Sequence, residues 1–153
     1  AVRFPAISRN SPSKDPMTSP IYTASIPVFT QMLGGLSQVL AKAEAHATAK
    51  NIDPNALLQA RLFPDMFALL KQAQARIATV LAFIGGLDPA QFDGAATREI
   101  VTQAGTPKEK RFSGESYLFN YGLPHFFFHT TTAYAILRHN GVDVGKKDYI
   151  GSY

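Results

Sequence analysis

The chain has no cysteine. Disulfides, a thiol nucleophile and a thiolate metal site are therefore excluded, and any metal must rest on imidazole, carboxylate or hydroxyl groups. The same absence fits a reducing compartment, so the cytoplasm is the expected location. No secretory signal is visible. Residues 1–16, AVRFPAISRNSPSKDP, are rich in proline and serine and lack an apolar run of the required length. They read as a disordered extension, with Met17 as a natural start and residues 17–153 as one helical domain. Charge is scarce as well: 15 basic against 11 acidic side chains leave a net charge of +4. That surplus is scattered, from Arg3 and Arg9 through Lys42, Lys50, Lys108 and Arg111 to Lys146 and Lys147. No basic face is gathered for a phosphate backbone, and no nucleic acid is expected as a partner. There is no Gly-rich phosphate loop, because Gly85-Gly86 follows a helical stretch rather than a strand. No Ser–His–acid order and no carboxylate pair stands out for nucleophilic or acid–base chemistry.

The most informative absence is local. From Tyr117 to Leu137, YLFNYGLPHFFFHTTTAYAIL, there is no Asp, Glu, Lys or Arg. The run has the length of a membrane span. It also holds Asn120, His125, His129, three threonines, Gly122 and Pro124, which lower the gain from burial in lipid, and no second span would shelter them. No membrane partner is expected. The run must be buried on several sides or face a ligand.

The remaining pattern is helical. Phe29, Met32, Leu33, Leu36, Val39, Leu40 and Ala43 recur at steps of three and four, and His46 and Ala47 continue the stripe. Ser25 and Pro27 offer an N-terminal cap and first turn, and the chain before them reads as extended. Gly34-Gly35 weakens this helix at its middle and permits close approach of another element. Asp53-Pro54 restarts a helix. A stripe of Met66, Leu70, Ala73, Ile77, Val80, Leu81 and Ile84 ends at Gly85-Gly86. Arg98–Thr102 and Arg111-Phe112 flank a Gly105-Thr106-Pro107 turn and suggest a small hairpin. Ser113 caps the last helix, Gly122 and Pro124 interrupt it, and Asn140-Gly141 supply a left-handed end. The architecture is all-α: a helical bundle with a hairpin-like insert before the last helix.

His125 and His129, one turn apart, project from one side of that helix. Two imidazoles at this spacing can share zinc or nickel, given a third donor. Such a pair also arises by chance in a histidine-containing helix. His46 is the candidate to complete the site or act as a base, and its plainer role is a hydrogen-bonding residue at a helix boundary. If the last helix runs antiparallel to the first, His46 faces the start of that helix. Asp65, Glu44 and Tyr121 are further possible donors.

Several stretches together resemble one family: IYTASIPVFTQML, KAEAHA, the run from Ile52-Asp53-Pro54 to ARLFPDMF, GLDPAQF, and above all LPHFFFHTTTAYAILRHNGVDVGKKDYIG. They resemble a domain-of-unknown-function branch of the DinB-like (YfiT-like) superfamily, over about Met17 to Tyr153. The resemblance implies an up-and-down four-helix bundle, often a homodimer. It also implies a divalent-metal site with one histidine from the second helix and two from an HxxxH on the last. Some relatives use that metal for thiol-dependent transfer or isomerisation. His125 and His129 match the HxxxH, whereas LLQARLFPDMFALLKQ contains no histidine, and His46 belongs to the branch's own AEAHA motif. The family also carries a further stretch between Gln72 and Ala73, so the second and third helices are expected here as one fused helix. Its apolar face would then need a partner chain or remain exposed. The expected function is a ligand- or partner-binding module with a degenerate metal site, the alternative being a metal-dependent enzyme.

Overall fold

The computed structural model describes residues 18–53 and 71–152. The expected N-terminal extension, the restart at Pro54 and the first part of the fused helix lie outside the described residues. Five helices are described: α1 (Pro20–Ala49), α2 (Lys71–Gly85), α3 (Gly114–Tyr117), α4 (Leu123–His139) and α5 (Lys146–Ile150). A two-stranded antiparallel hairpin, β1 (Glu99–Thr102) and β2 (Lys110–Ser113), stands between α2 and α3, with Ile100 opposite Phe112. Asp88 opens a short 3₁₀ turn, Pro89–Phe92, by accepting from the Ala90 N–H while Gln91 reaches back to the Asp88 N–H.

The cap position of α1 is Ser19, six residues before the expected Ser25, a correction to the sequence reading. Pro20, not Pro27, occupies its first turn, and Ser25 and Pro27 lie inside the helix. Ser25 is buried, and its hydroxyl donates to the Ile21 carbonyl at 2.6 Å. A serine held this way works within a turn rather than at its start. The apolar stripe buries as expected: Met32, Val39, Leu40, Ala43 and Ala47 are all below a tenth exposed. Val39, Leu40 and Ala43 meet Ile77 of α2, Leu137 of α4, and Val142 and Val144 beyond it. Each fully buried aliphatic side chain here contributes about 1.5–3 kcal/mol.

The direction of the last helix differs from the antiparallel case considered above. Phe29, early in α1, packs edge-on against Phe126, early in α4, with ring centroids 4.8 Å apart. His46, late in α1, lies beside Gly141, just past the end of α4. The two helices therefore run parallel. A parallel pair cannot be joined by a tight turn, and α2, the 3₁₀ turn and the hairpin provide the return path. At its end, α4 closes with the expected left-handed glycine: Gly141 has φ +84°, its N–H bonds to the Arg138 carbonyl, and the Val142 N–H bonds to the Leu137 carbonyl. This is a Schellman closure, with Val142 and Leu137 in one core cluster.

The tail then folds back across α1. Gly35 makes this possible. A Cβ at position 35 would lie 2.9 Å from the Tyr149 carbonyl oxygen, 3.1 Å from that of Asp148 and 3.3 Å from the Gly151 nitrogen. Gly151 itself has φ +74° and would also crowd the Gln31 carbonyl if substituted. Around this contact, Gln31 Nε2 donates to the Ile150 carbonyl at 3.1 Å and Lys42 Nζ meets Asp148 at 2.7 Å. Arg138 donates to the Val144 carbonyl, and the Tyr149 hydroxyl shares a 2.8 Å hydrogen bond with that of Thr131.

Two expected outcomes follow from the tail. Gly35→Ala forces backbone apart and lowers stability by about 1–3 kcal/mol. Gly34→Ala, with nothing within 4 Å of its added methyl, gains about 0.5–1 kcal/mol from helix propensity. Thermal or urea unfolding of both variants checks the contrast. The Lys42 ammonium, with help from the Gly145 N–H, holds the Asp148 carboxyl below the ordinary carboxylate range, and Asp148 raises Lys42 in return. Stability from the lowered carboxyl is present above its unfolded value and lost as pH falls through its folded one. Asp148→Asn keeps an acceptor for Gly145 but loses the ion pair. Its melting temperature should fall below that of the wild type at neutral pH, and the gap should close as pH drops below about 4.

Candidate functional site

The interruption expected at Gly122 and Pro124 is a π-helical turn, Leu118–Gly122. Proline at 124 has no N–H and its ring crowds the preceding carbonyls, and one wide turn absorbs that defect without ending the helix. Its effect is to carry a ladder of rings from β2 into α4. Phe112 packs on Tyr117 and Tyr121, Tyr117 stacks on Tyr121 at 5.4 Å, and Tyr121 lies 4.2 Å from the ring of His125. The Tyr121 carbonyl is 2.7 Å from His125 Nδ1. A carbonyl only accepts, so Nδ1 carries the proton in this bond, and in the neutral imidazole Nε2 keeps its lone pair. His125 is exposed.

His129, one turn further, borders a groove of about 250 Å³ between α1 and α4. Leu33, Leu36 and Leu40 form one wall, and Phe126, Thr130 and Ala133 the other. Thr130 is buried and its hydroxyl donates to the Phe126 carbonyl at 3.1 Å, so it presents its methyl and no free donor. A threonine hydroxyl inside a helix commonly bonds back to its own turn in this way. Thr131 departs from it by reaching Tyr149 instead. The imidazole of His129 is the one titratable group among the lining residues. Of the three consecutive phenylalanines, Phe126 lines this groove. Phe127 and Phe128 are 36% and 62% exposed.

The structure keeps His125 and His129 on neighbouring turns and leaves His46 at the opposite end. His46 neighbours Gly141, whereas His129 lies about 15 Å before the C-terminus of α4, at 1.5 Å per residue. Parallel packing is the reason, since it sets the late residues of α1 against the late residues of α4. Glu44 does not complete a set, and Asp65 lies outside the described residues. Among the described residues no three histidine or carboxylate side chains converge to hold a metal. Among the described residues, His125 and His129 supply two of the three ligands such a site needs. No helix among the described residues is long and apolar enough to cross a membrane.

The family of the chain follows from comparison with known proteins. A family model described as a domain of unknown function, DUF1993, matches residues 21–75 and 70–150. The chain belongs to the DUF1993 family. A crystal structure of a DinB family member protein from Shewanella denitrificans is similar, with 33% identity over 87% of this chain and 93% of that one, and a TM-score of 0.78. The chain is thus a DinB-like, mostly helical protein, as its last helix suggested. The two stretches of the DUF1993 match meet at 70–75, the place where two helices were expected to be spliced. No match is found among curated proteins.

The ring ladder generates one prediction. In the neutral imidazole of His125 the proton sits on Nδ1. Long-range ¹H–¹⁵N spectra at alkaline pH should show Nε2 as the unprotonated, pyridine-like nitrogen. A protonated Nε2 would contradict the Tyr121 bond.

Proposed function

We propose that this protein is a small-molecule binding module, and that the groove between α1 and α4 takes a largely apolar ligand with one hydrogen-bonding group. The observation that carries this is a groove walled by leucine, phenylalanine, alanine and a self-satisfied threonine, with a single imidazole at its edge. Such a surface gives affinity through its apolar area, while the one polar group orients the ligand. Indole and 4-methylphenol are suitable probes, each a single ring with one donor. In methyl-detected NMR titrations they should shift Leu33, Leu36 and Leu40 saturably. Leu36→Trp should remove binding by filling the groove. His129→Leu should weaken 4-methylphenol about tenfold, the worth of one hydrogen bond, with toluene unaffected. Absence of saturable shifts at these methyls sinks the proposal.

A second reading, a zinc or nickel enzyme of the thiol-dependent transferase or isomerase type, has one observation in its favour. In the neutral imidazole of His125 the Tyr121 carbonyl favours the proton on Nδ1, which leaves Nε2 as the ligating nitrogen, one turn from His129. Elemental analysis of protein purified without a histidine tag discriminates. Near one equivalent of metal, lost in His129→Ala, favours the enzyme; none removes it.

The fold also supports a homodimer. Phe83 and Val80, on the outer side of α2, are 67% and 43% exposed. Size exclusion with light scattering should give twice the chain mass, 33 kDa against the 16.6 kDa of one chain. A stable, monodisperse monomer contradicts this.

A further inference from the structure

A second cavity, of about 340 Å³, lies away from the histidines, where α2 ends and the hairpin begins. Ile21 from the start of α1, Leu87, Phe92 and Leu118 supply its apolar walls, and Arg98 is the one charged residue among its lining. The cavity is held by backbone. Gly114 presses against the Ala95 carbonyl so closely that a Cβ could not be added, and the Glu115 N–H donates to the Ala96 carbonyl at 2.9 Å. On the other side Phe92 packs edge-on against Tyr22 at 5.3 Å.

The guanidinium is positioned but not neutralised. Its Nη2 makes two long contacts, 3.5 Å each, with the carbonyls of Gln91 and Asp93. Its Nε and Nη1 have no protein partner among the described residues. The neighbouring hairpin carboxylates are engaged elsewhere: Glu99 and Glu109 pair with Arg111 at 3.2 and 2.9 Å. A guanidinium offers five N–H donors in a planar fork that matches a carboxylate. Arg98 is the residue that brings such a group to the lining of this apolar cavity.

We propose that this cavity binds monocarboxylates with a compact apolar body, an aromatic or medium-chain acid. The carboxylate takes the free edge of Arg98, and the hydrocarbon packs against Leu87, Phe92 and Leu118. The volume is at the lower end of small-molecule sites, about 300–1,000 Å³, which suits one ring on a short chain. Because Arg98 is exposed, the charge supplies selectivity more than affinity. The site is independent of the groove at His129.

The test titrates the full chain with 4-phenylbutyrate and with its uncharged counterpart 4-phenylbutanol, followed by ¹H–¹⁵N NMR. Saturable shifts are expected at the amides of Ala95, Ala96, Arg98 and Gly114, with the acid binding about tenfold tighter than the alcohol. Arg98→Gln should erase that preference while leaving alcohol binding and the melting temperature in place. Leu87→Trp should block both ligands. The proposal is overturned if neither probe produces saturable shifts there, or if the wild type binds acid and alcohol equally. It is overturned as well if Arg98→Gln retains the preference.

Discussion

The arrangement rests on a methyl group that is not there. Because position 35 is glycine, the backbone of Asp148, Tyr149 and Gly151 lies directly on the middle of α1. The end of the chain thereby holds its beginning, and the Lys42–Asp148 pair and the Gln31–Ile150 bond settle around that contact. The same closure brings Val142 and Val144 into the core beside Val39, Leu40 and Leu137. A tail that would otherwise be polar and exposed becomes a strap across α1, and α4, from which it emerges, is held parallel to α1.

Parallel packing decides what the histidines can do. It puts Phe126 and His129 opposite the leucines of mid-α1, where they border a groove, and sends His46 to the far end beside Gly141. The pair on α4 thus loses His46 as a third donor and gains an apolar neighbour. One imidazole, His125, is fixed by the Tyr121 carbonyl at the head of a ring ladder; the other edges the groove. These surroundings are what the proposed binding of an apolar ligand rests on. The DUF1993 membership and the likeness to a DinB family member give the frame for this geometry without assigning it a reaction.

Much of the fold was legible in the sequence. The period of Met32, Val39, Leu40 and Ala43 gave the buried stripe of α1, Asn140-Gly141 gave the closure of α4, and Ser113 gave the cap of α3, from which the π-helical turn leads into α4. Gly122 with Pro124 marked the defect but not its π form, since proline says only that a bond is missing. The start of α1 was misread because Ser19-Pro20 and Ser25 with Pro27 carry the same capping chemistry, and only packing chooses between them. α5 was missed because it is a single turn held by tertiary contacts, with Asp148 accepting from Gly145 as its faint local sign. The direction of α4 has no local signature, so the place of His46 could not be read. The Arg98 cavity was likewise invisible, being built by α1, the 3₁₀ turn, the hairpin and α3, which are remote in sequence.

The central claim is that α1 and α4 run parallel, and the missing cysteines make it directly measurable. Nitroxide labels can be placed on Thr48→Cys with His139→Cys, and separately on Thr48→Cys with Asn120→Cys, with no background labelling. Pulsed electron–electron resonance should find the first pair closer than the second by about 15 Å or more, given the length of helix between positions 120 and 139. Equal distances, or the reverse order, would contradict parallel packing and with it the separation of His46 from the histidine pair.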